Sequence, residues 1–327
     1  MGKFLLSLFI GVCLLLAINS PLADIFLKKL ESDAITADKK IDPLIDEIRL
    51  KGKEYERPPQ NAVIDPVWKA IPGYNGLKVD VEASYKKMKE TGGGFDPEKL
   101  VFFQEKPKIT LKDLPPAPVY KGNPEKPMVS FVINVAWGNE YIPQILATLK
   151  ENRVFATFFL EGRWVKNHPD LAKMIVDAGH EVGNHSFTHP DMKILSAGKI
   201  REEIVKTNEV IKATTGKSVS WFAPPSGSYR EEVVKIAAEE GLGTIMWSVD
   251  TIDWKEPAPS VLINRVVTKI HPGALVLMHP TKSTADALDQ LIKEIKVKNL
   301  EIHTVSKLLS EERVMRNVLE KDQPKNN

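Results

Sequence analysis

The run VFATFFLEGRWVKNHPDLAKMIVDAGHEVGNHSFTHPDM, residues 154–192, decides the fold. It reads as a short β-rich run, Val154–Leu160, then an amphipathic helical stretch, Trp164–Ala178, then a second short run, Glu181–Asn184. The same texture extends both ways. Further β-rich runs are Val129–Val135, Ser218–Phe222, Gly243–Val249, Ala274–Met278 and Glu301–Thr304. Helical stretches lie near Tyr141–Glu151, Ala197–Thr214, Arg230–Glu240, Pro259–Ile270 and Thr284–Val297, with a last one near Val305–Arg313. Repeated strand–helix alternation predicts an α/β fold with a parallel sheet, either open or closed as a (β/α) barrel. In either form, chemistry gathers at the carboxyl ends of the strands.

The strand ends are where the polar residues lie. His185 and His189 follow the run Glu181–Asn184 at i and i+4, a spacing that lets two imidazoles meet one metal on a helix or tight turn. Alone the pair is weak evidence, because surface histidines this close are often simply solvated. Ala223-Pro224-Pro225-Ser226-Gly227 makes an abrupt turn after another strand and can aim backbone N–H groups into a cleft. Trp247 to Trp254 ends a third strand and carries Asp250 and Asp253. Leu275–Met278 runs into His279-Pro280. Four successive ends of this kind point to one site. The other histidines, His168, His180, His271 and His303, read as capping, core, turn or rim residues, and Asp250 as a residue that orients the Asp253 loop.

Composition narrows the function classes. Lys+Arg at 45 against Asp+Glu at 43 leaves +2, too balanced for broad capture of nucleic acid. Apolar residues at 43% and charged residues at 27% are those of a globular protein rather than a charged disordered tail. The single cysteine, Cys13, excludes a disulfide framework and a multi-cysteine zinc site, so any metal must rest on histidines and carboxylates. Residues 1–27 carry Lys3 and then the apolar run Phe4–Ile18, a signal peptide or a signal anchor. Pro21 fits a cleavage site poorly, so secretion and membrane anchoring both stand, each extracytoplasmic. Residues 28–60 read as a stalk. Residues 61–114 read as a small α+β module, either a spacer or a glycan- or partner-binding unit. A Pro-rich linker, 115–127, precedes the alternating domain, 128–315, and a polar tail, 316–327, follows. Oligomeric state is not legible.

With these residues in place, the domain resembles the polysaccharide deacetylase (NodB homology) family, carbohydrate esterase family 4. Residues 154–192, WSVDTIDW and LVLMHP are similar to its signatures, in order. The resemblance covers well over half the chain and leaves out the N-terminal module. More narrowly, the arrangement resembles sporulation-associated deacetylase-like proteins of spore-forming bacteria. The resemblance implies a distorted (β/α) barrel and a hydrolase acting on carbon–nitrogen bonds other than peptide bonds. Such an enzyme removes acetyl groups from peptidoglycan or chitin-like glycan with a divalent metal, usually zinc. It implies His185 and His189 as metal ligands, His279 as general acid and Asp253 as the carboxylate that orients it. Trp254 and Pro225 would wall the groove, and Ser226 would offer a backbone N–H to the oxyanion.

The first signature departs from the family. Where the family has Thr-Phe-Asp-Asp-Gly, this chain has Asn134-Val135-Ala136-Trp137-Gly138. Ala136 replaces the general base, Trp137 the metal carboxylate, and Ala223 the arginine that pairs with the base. The changes are mutually consistent, since an arginine left without its carboxylate would be an unpaired buried charge costing about 3–5 kcal/mol. Losing a general base costs ~10²–10⁴ in rate. Two imidazoles fall short of the three protein ligands of catalytic zinc. Glu140, the nearest carboxylate, reads as an exposed loop residue. The expectation is a glycan-directed family member in which ordinary metal-dependent deacetylation is doubtful. The alternative is a catalytically degenerate protein that binds glycan or acts as a scaffold.

Overall fold

The computed structural model describes residues 42–315, together with Ile25 and Lys28. The apolar run Phe4–Ile18, the first part of the stretch read as a stalk, and the polar tail beyond 315 lie outside the described residues. Among the described residues, no helix is long and apolar enough to cross a membrane. The chain forms two compact units, one from the chain up to Tyr55 plus Val79–Phe102, the other from Glu56–Lys78 plus Phe103 onward.

The smaller unit is built on two capped helices. α1 (Pro43–Gly52) begins where the Asp42 carboxylate accepts the Leu44 N–H at 3.0 Å. Pro43 sits in the first turn, where a missing N–H removes no helical bond. α2 (Val81–Lys89) starts the same way, with Asp80 accepting the Ala83 N–H at 2.9 Å. Leu44 and Ile48, one turn apart, bury against Tyr55, Val79, Met88 and Leu100.

In the larger unit, a hairpin of β1 (Val63–Asp65) and β2 (Lys69–Ile71) turns on the Asp65 carboxylate, which accepts the Val67 and Trp68 N–H groups at 2.8 and 2.7 Å. β3 (Gly76–Val79) and β4 (Phe102–Glu105) make a second two-stranded sheet. The main sheet is parallel and eight-stranded. It comprises β5 (Met128–Val135), β6 (Thr157–Leu160), β7 (Glu181–Asn184), β8 (Trp221–Phe222), β9 (Gly243–Thr244), β10 (Val249–Asp250), β11 (Leu275–Met278) and β12 (Glu301–Ile302). The order is β10-β11-β5-β6-β7-β8-β9, and β12 pairs with the first residues of β5, Met128 and Val129. This is the curled parallel sheet of a distorted (β/α) barrel, ringed by helices. All eight positions of the interior strand β5 are buried, which explains why its residues are apolar except for Ser130 and Asn134. The seam between β9 and β11 is closed by the chain before β5. Val119 bridges Ile245 and Lys121 bridges Ala274.

The helices are α3 (Ile142–Glu151), α4 (Gly162–Asn167), α5 (Pro169–Asp177), α6 (Ala197–Thr215), α7 (Glu231–Glu239), α8 (Pro259–Val267), α9 (Lys282–Val297) and α10 (Val305–Leu309). Three elements differ from the sequence reading for identifiable reasons. The helix expected over Trp164–Ala178 is two helices, because Pro169 forces His168 out of the helical region, to φ −132° and ψ 56°. The strand expected over Gly243–Val249 is interrupted: Ile245 N–H still donates to the Phe222 carbonyl of β8, but Met246 N–H turns to the Val119 carbonyl, and the chain rejoins the sheet as a strand only at Val249. The helix expected to reach Arg313 stops at Leu309. There the fully buried Lys126 ammonium donates to the carbonyls of Lys307 and Ser310, each at 2.7 Å, and takes the place of further helical N–H donors.

Candidate functional site

The carboxyl ends of β5, β7, β8, β10 and β11 carry every residue singled out for chemistry. His185 leaves β7 fully buried, and its ring is fixed from below. Nδ1 lies 2.8 Å from the Ala223 carbonyl oxygen at the end of β8. A carbonyl can only accept, so Nδ1 carries the proton and Nε2 keeps its lone pair. Ring centroids of His185 and His189 lie 5.0 Å apart, edge to face. The turn between them is tight, with Ser186 at φ 62° and His189 at φ 57°. It is held by side chains. Ser186 N–H donates to Asn184 Oδ1 at 2.8 Å, and His189 N–H to Ser186 Oγ at 3.1 Å. Glu203 on α6 accepts the N–H groups of Phe187 and Thr188 at 2.8 and 2.7 Å and the Thr188 hydroxyl at 2.8 Å. Burial pushes His185 down to about 3, with His189 adding to the effect, and burial also lowers His189. Both imidazoles are therefore neutral near pH 7, with lone pairs available.

Across the site, His279 leaves β11 under the control of Asp253. This carboxylate is completely buried. Its Oδ1 lies 2.8 Å from His279 Nδ1. Its Oδ2 accepts the His279 backbone N–H and the Thr284 hydroxyl, the latter at 2.6 Å. Asp253 is itself placed by a left-handed Ile252 at φ 52°, whose N–H donates to Asp250 Oδ1 at 2.8 Å. Asp250 thus orients this loop, and the His279 ring presents Nε2 away from the carboxylate. Trp254 follows directly and is 54% exposed. Pro225 is buried, and Ser226 is exposed with φ 53°.

Trp137 completes the set. It lies just beyond the end of β5, its ring stacked on His279 at 10° and 5.7 Å between centroids, and it is 46% exposed. The next residue requires glycine. Gly138 has φ 79°, and a Cβ there would stand 1.8 Å from the Pro280 carbonyl oxygen. Asn139 then bonds the Trp164 indole N–H at 2.6 Å. Glu140 is exposed, and Ala136 and Ala223 hold the neighbouring positions with methyl side chains.

The residues present do not fit a catalytic divalent ion. His185 and His189 offer two imidazoles, and among the described residues no group of three His, Cys, Asp or Glu side chains could hold a metal ion. Glu203, Thr284 and Gly138 are site residues that sequence reading missed. Only Gly138, in a strand-end turn, carried a readable signal. The two others act from helices α6 and α9, at a distance in sequence that spacing does not reveal.

The strand-end histidines, the Asp253–His279 pair and the curled parallel sheet place the chain in the polysaccharide deacetylase family, to which it belongs. A family model described as polysaccharide deacetylase matches residues 121–245. Peptidoglycan-N-acetylmuramic acid deacetylase PdaA of Bacillus subtilis (strain 168) is 34% identical over 197 residues, 59% of this chain and 75% of PdaA. An uncharacterised protein YlxY of Bacillus subtilis (strain 168) is 54% identical over 298 residues, 91% of this chain and 93% of its own. Among solved structures, a carbohydrate esterase family 4 pseudoenzyme from Bacillus anthracis is 58% identical. It covers 83% of this chain and 96% of its own, with a TM-score of 0.79. A mutant of that pseudoenzyme, described as having restored enzymatic activity, superposes with the same TM-score.

Proposed function

We propose that this protein binds N-acetylated cell-wall glycan in the deacetylase groove without hydrolysing it at a family-like rate. The observation that carries the reading is Trp137, whose ring stacks on His279 where the family pattern places a metal carboxylate. In a family enzyme the bound metal polarises the acetyl carbonyl and activates water. Here His185 and His189 would be the remnants of that ligand set, and Ala136 leaves no carboxylate to take a proton from water. His279, held by Asp253, retains a ring nitrogen that can donate to or accept from the glycan. The Ser226 N–H would bind the acetyl oxygen, and Pro225 and Trp254 would wall the groove. Relatives named as peptidoglycan deacetylases support the choice of glycan. The apolar run Phe4–Ile18 supports an extracytoplasmic setting, and a membrane anchor if it is retained. A role in sporulation belongs to the same proposal and rests on the resemblance to sporulation-associated deacetylase-like proteins alone.

A second reading, a weak deacetylase with an altered metal site, is favoured by one observation. His185, His189, Asp253 and His279 keep an ordered, hydrogen-bonded arrangement that pure binding does not require. Co-sedimentation with purified peptidoglycan sacculi, with acetate release measured in the same tubes, separates the two. The proposal expects retention of protein in the pellet without acetate above the protein-free control. Acetate release that disappears in His185→Ala would establish the second reading in its place.

A further inference from the structure

We infer that Trp137 and His279 form a fixed aromatic platform on which one N-acetylhexosamine ring of the glycan stacks face to face. The inference rests on the glycan-binding reading above and names the contact that would carry it. Trp137 extends from the end of β5, an interior strand paired with both β11 and β6, so it stands at the carboxyl-end face beside His279 at the end of β11. The nearly parallel His279 ring lies offset against one face of its indole, 5.7 Å between centroids. Yet Trp137 remains 46% exposed, which leaves ring surface open to solvent. Aromatic side chains set among a few convergent polar groups are what ligand sites are built from, and here the exposed indole stands beside the His279 ring at the carboxyl ends of paired strands.

The platform is held from both sides. His279 is fixed by two contacts with the buried Asp253, which Thr284 also anchors. Trp137 is fixed through its own chain. Gly138 packs against the Pro280 backbone, one residue beyond His279, and Asn139 bonds the Trp164 indole. The two stacked rings therefore come from strand ends that are locked together, and ligand binding would order few groups anew. Trp254, exposed beside Asp253, adds a second indole from the loop that holds His279.

The chemistry of the partner follows from the ring. An aromatic face carries the negative part of a quadrupole. A β-linked pyranose of the N-acetylglucosamine type keeps its ring substituents equatorial and turns weakly positive axial C–H groups toward its faces, so the two surfaces complement each other. A carboxylate in the place of Trp137 would coordinate a metal and offer no such face. The replacement thus exchanges a ligand for a sugar-binding surface and is more than a loss.

The test is titration of the full chain with the N-acetylglucosamine tetramer, followed by calorimetry. Trp137→Ala and Trp137→Gln should each weaken binding by about tenfold or more, while Trp137→Phe, which keeps a π face, should stay within about threefold of wild type. Two replacements without a π face guard against one of them misfolding. If wild type binds and both bind within about twofold of it, the platform is wrong while the glycan-binding reading stands. If wild type binds neither the tetramer nor sacculi, the glycan-binding reading fails and the platform falls with it.

Discussion

At the scale of single residues, the site separates groups that hold the fold from groups left free to meet a ligand. Asp253 is fully buried and bonded to the His279 backbone, the His279 ring and the Thr284 hydroxyl. Asp253→Ala would orphan all three and should destabilise the protein by ~2–4 kcal/mol. Trp137→Ala removes a half-exposed ring and should shift stability by no more than ~1 kcal/mol. Urea unfolding of the two variants beside wild type checks the contrast, and equal losses would contradict it. His180 supplies a pH prediction. It is buried against Phe158, its Nδ1 accepts the Ala156 N–H at 3.3 Å, and burial pushes it down to about 4. An unfolded histidine titrates near 6.5. Between those values the unfolded chain takes a proton that the folded chain refuses. Stability from this group is thus intact above pH ~6.5 and lost as pH falls toward ~4, by ~3 kcal/mol. In His180→Gln the fall in unfolding free energy between pH 7 and pH 4 should be smaller by about that amount. An unchanged slope would show that His180 is not held neutral.

At the scale of elements, the geometry depends on loops that are held by side chains from neighbouring helices. Glu203 on α6 binds two backbone N–H groups and one hydroxyl of the loop that carries His189. Glu203→Ala should destabilise by ~2 kcal/mol and speed amide exchange at Phe187 and Thr188 before exchange rises elsewhere. Uniform exchange across the domain would contradict a local role. Strand–helix alternation was legible because each element carries its own period, and the site histidines were legible because strands end abruptly. The break at His168-Pro169 was also written in the sequence, in the proline, but amphipathic periodicity continues through it. The end of α10 was not legible, because it depends on Lys126, a residue remote in sequence whose ammonium binds the last carbonyls. Seam closure by Val119 escaped for the same reason, since isolated bridges leave no periodic signature.

At the scale of the whole molecule, the sheet order brings β5 between β11 and β6, so Ala136 and Trp137 necessarily sit beside His279 on one flank. Parallel pairing of β7 with β8 brings Ala223 under His185 on the other. Three replacements, two adjacent at the end of β5 and one distant in sequence at the end of β8, thus fall at one end of the sheet, while the scaffold around them is that of the deacetylase family. If those replacements alone silence the chemistry, Ala136→Asp, Trp137→Asp and Ala223→Arg together should supply a base, a third ligand and the partner of the base. The direct measurement is zinc content and acetate release from N-acetylglucosamine oligomers, on the purified wild-type chain and this triple variant. The account predicts substoichiometric zinc and no acetate above background for wild type, with both zinc and turnover gained by the variant. Stoichiometric zinc and acetate release by wild type, abolished in His185→Ala, would contradict it.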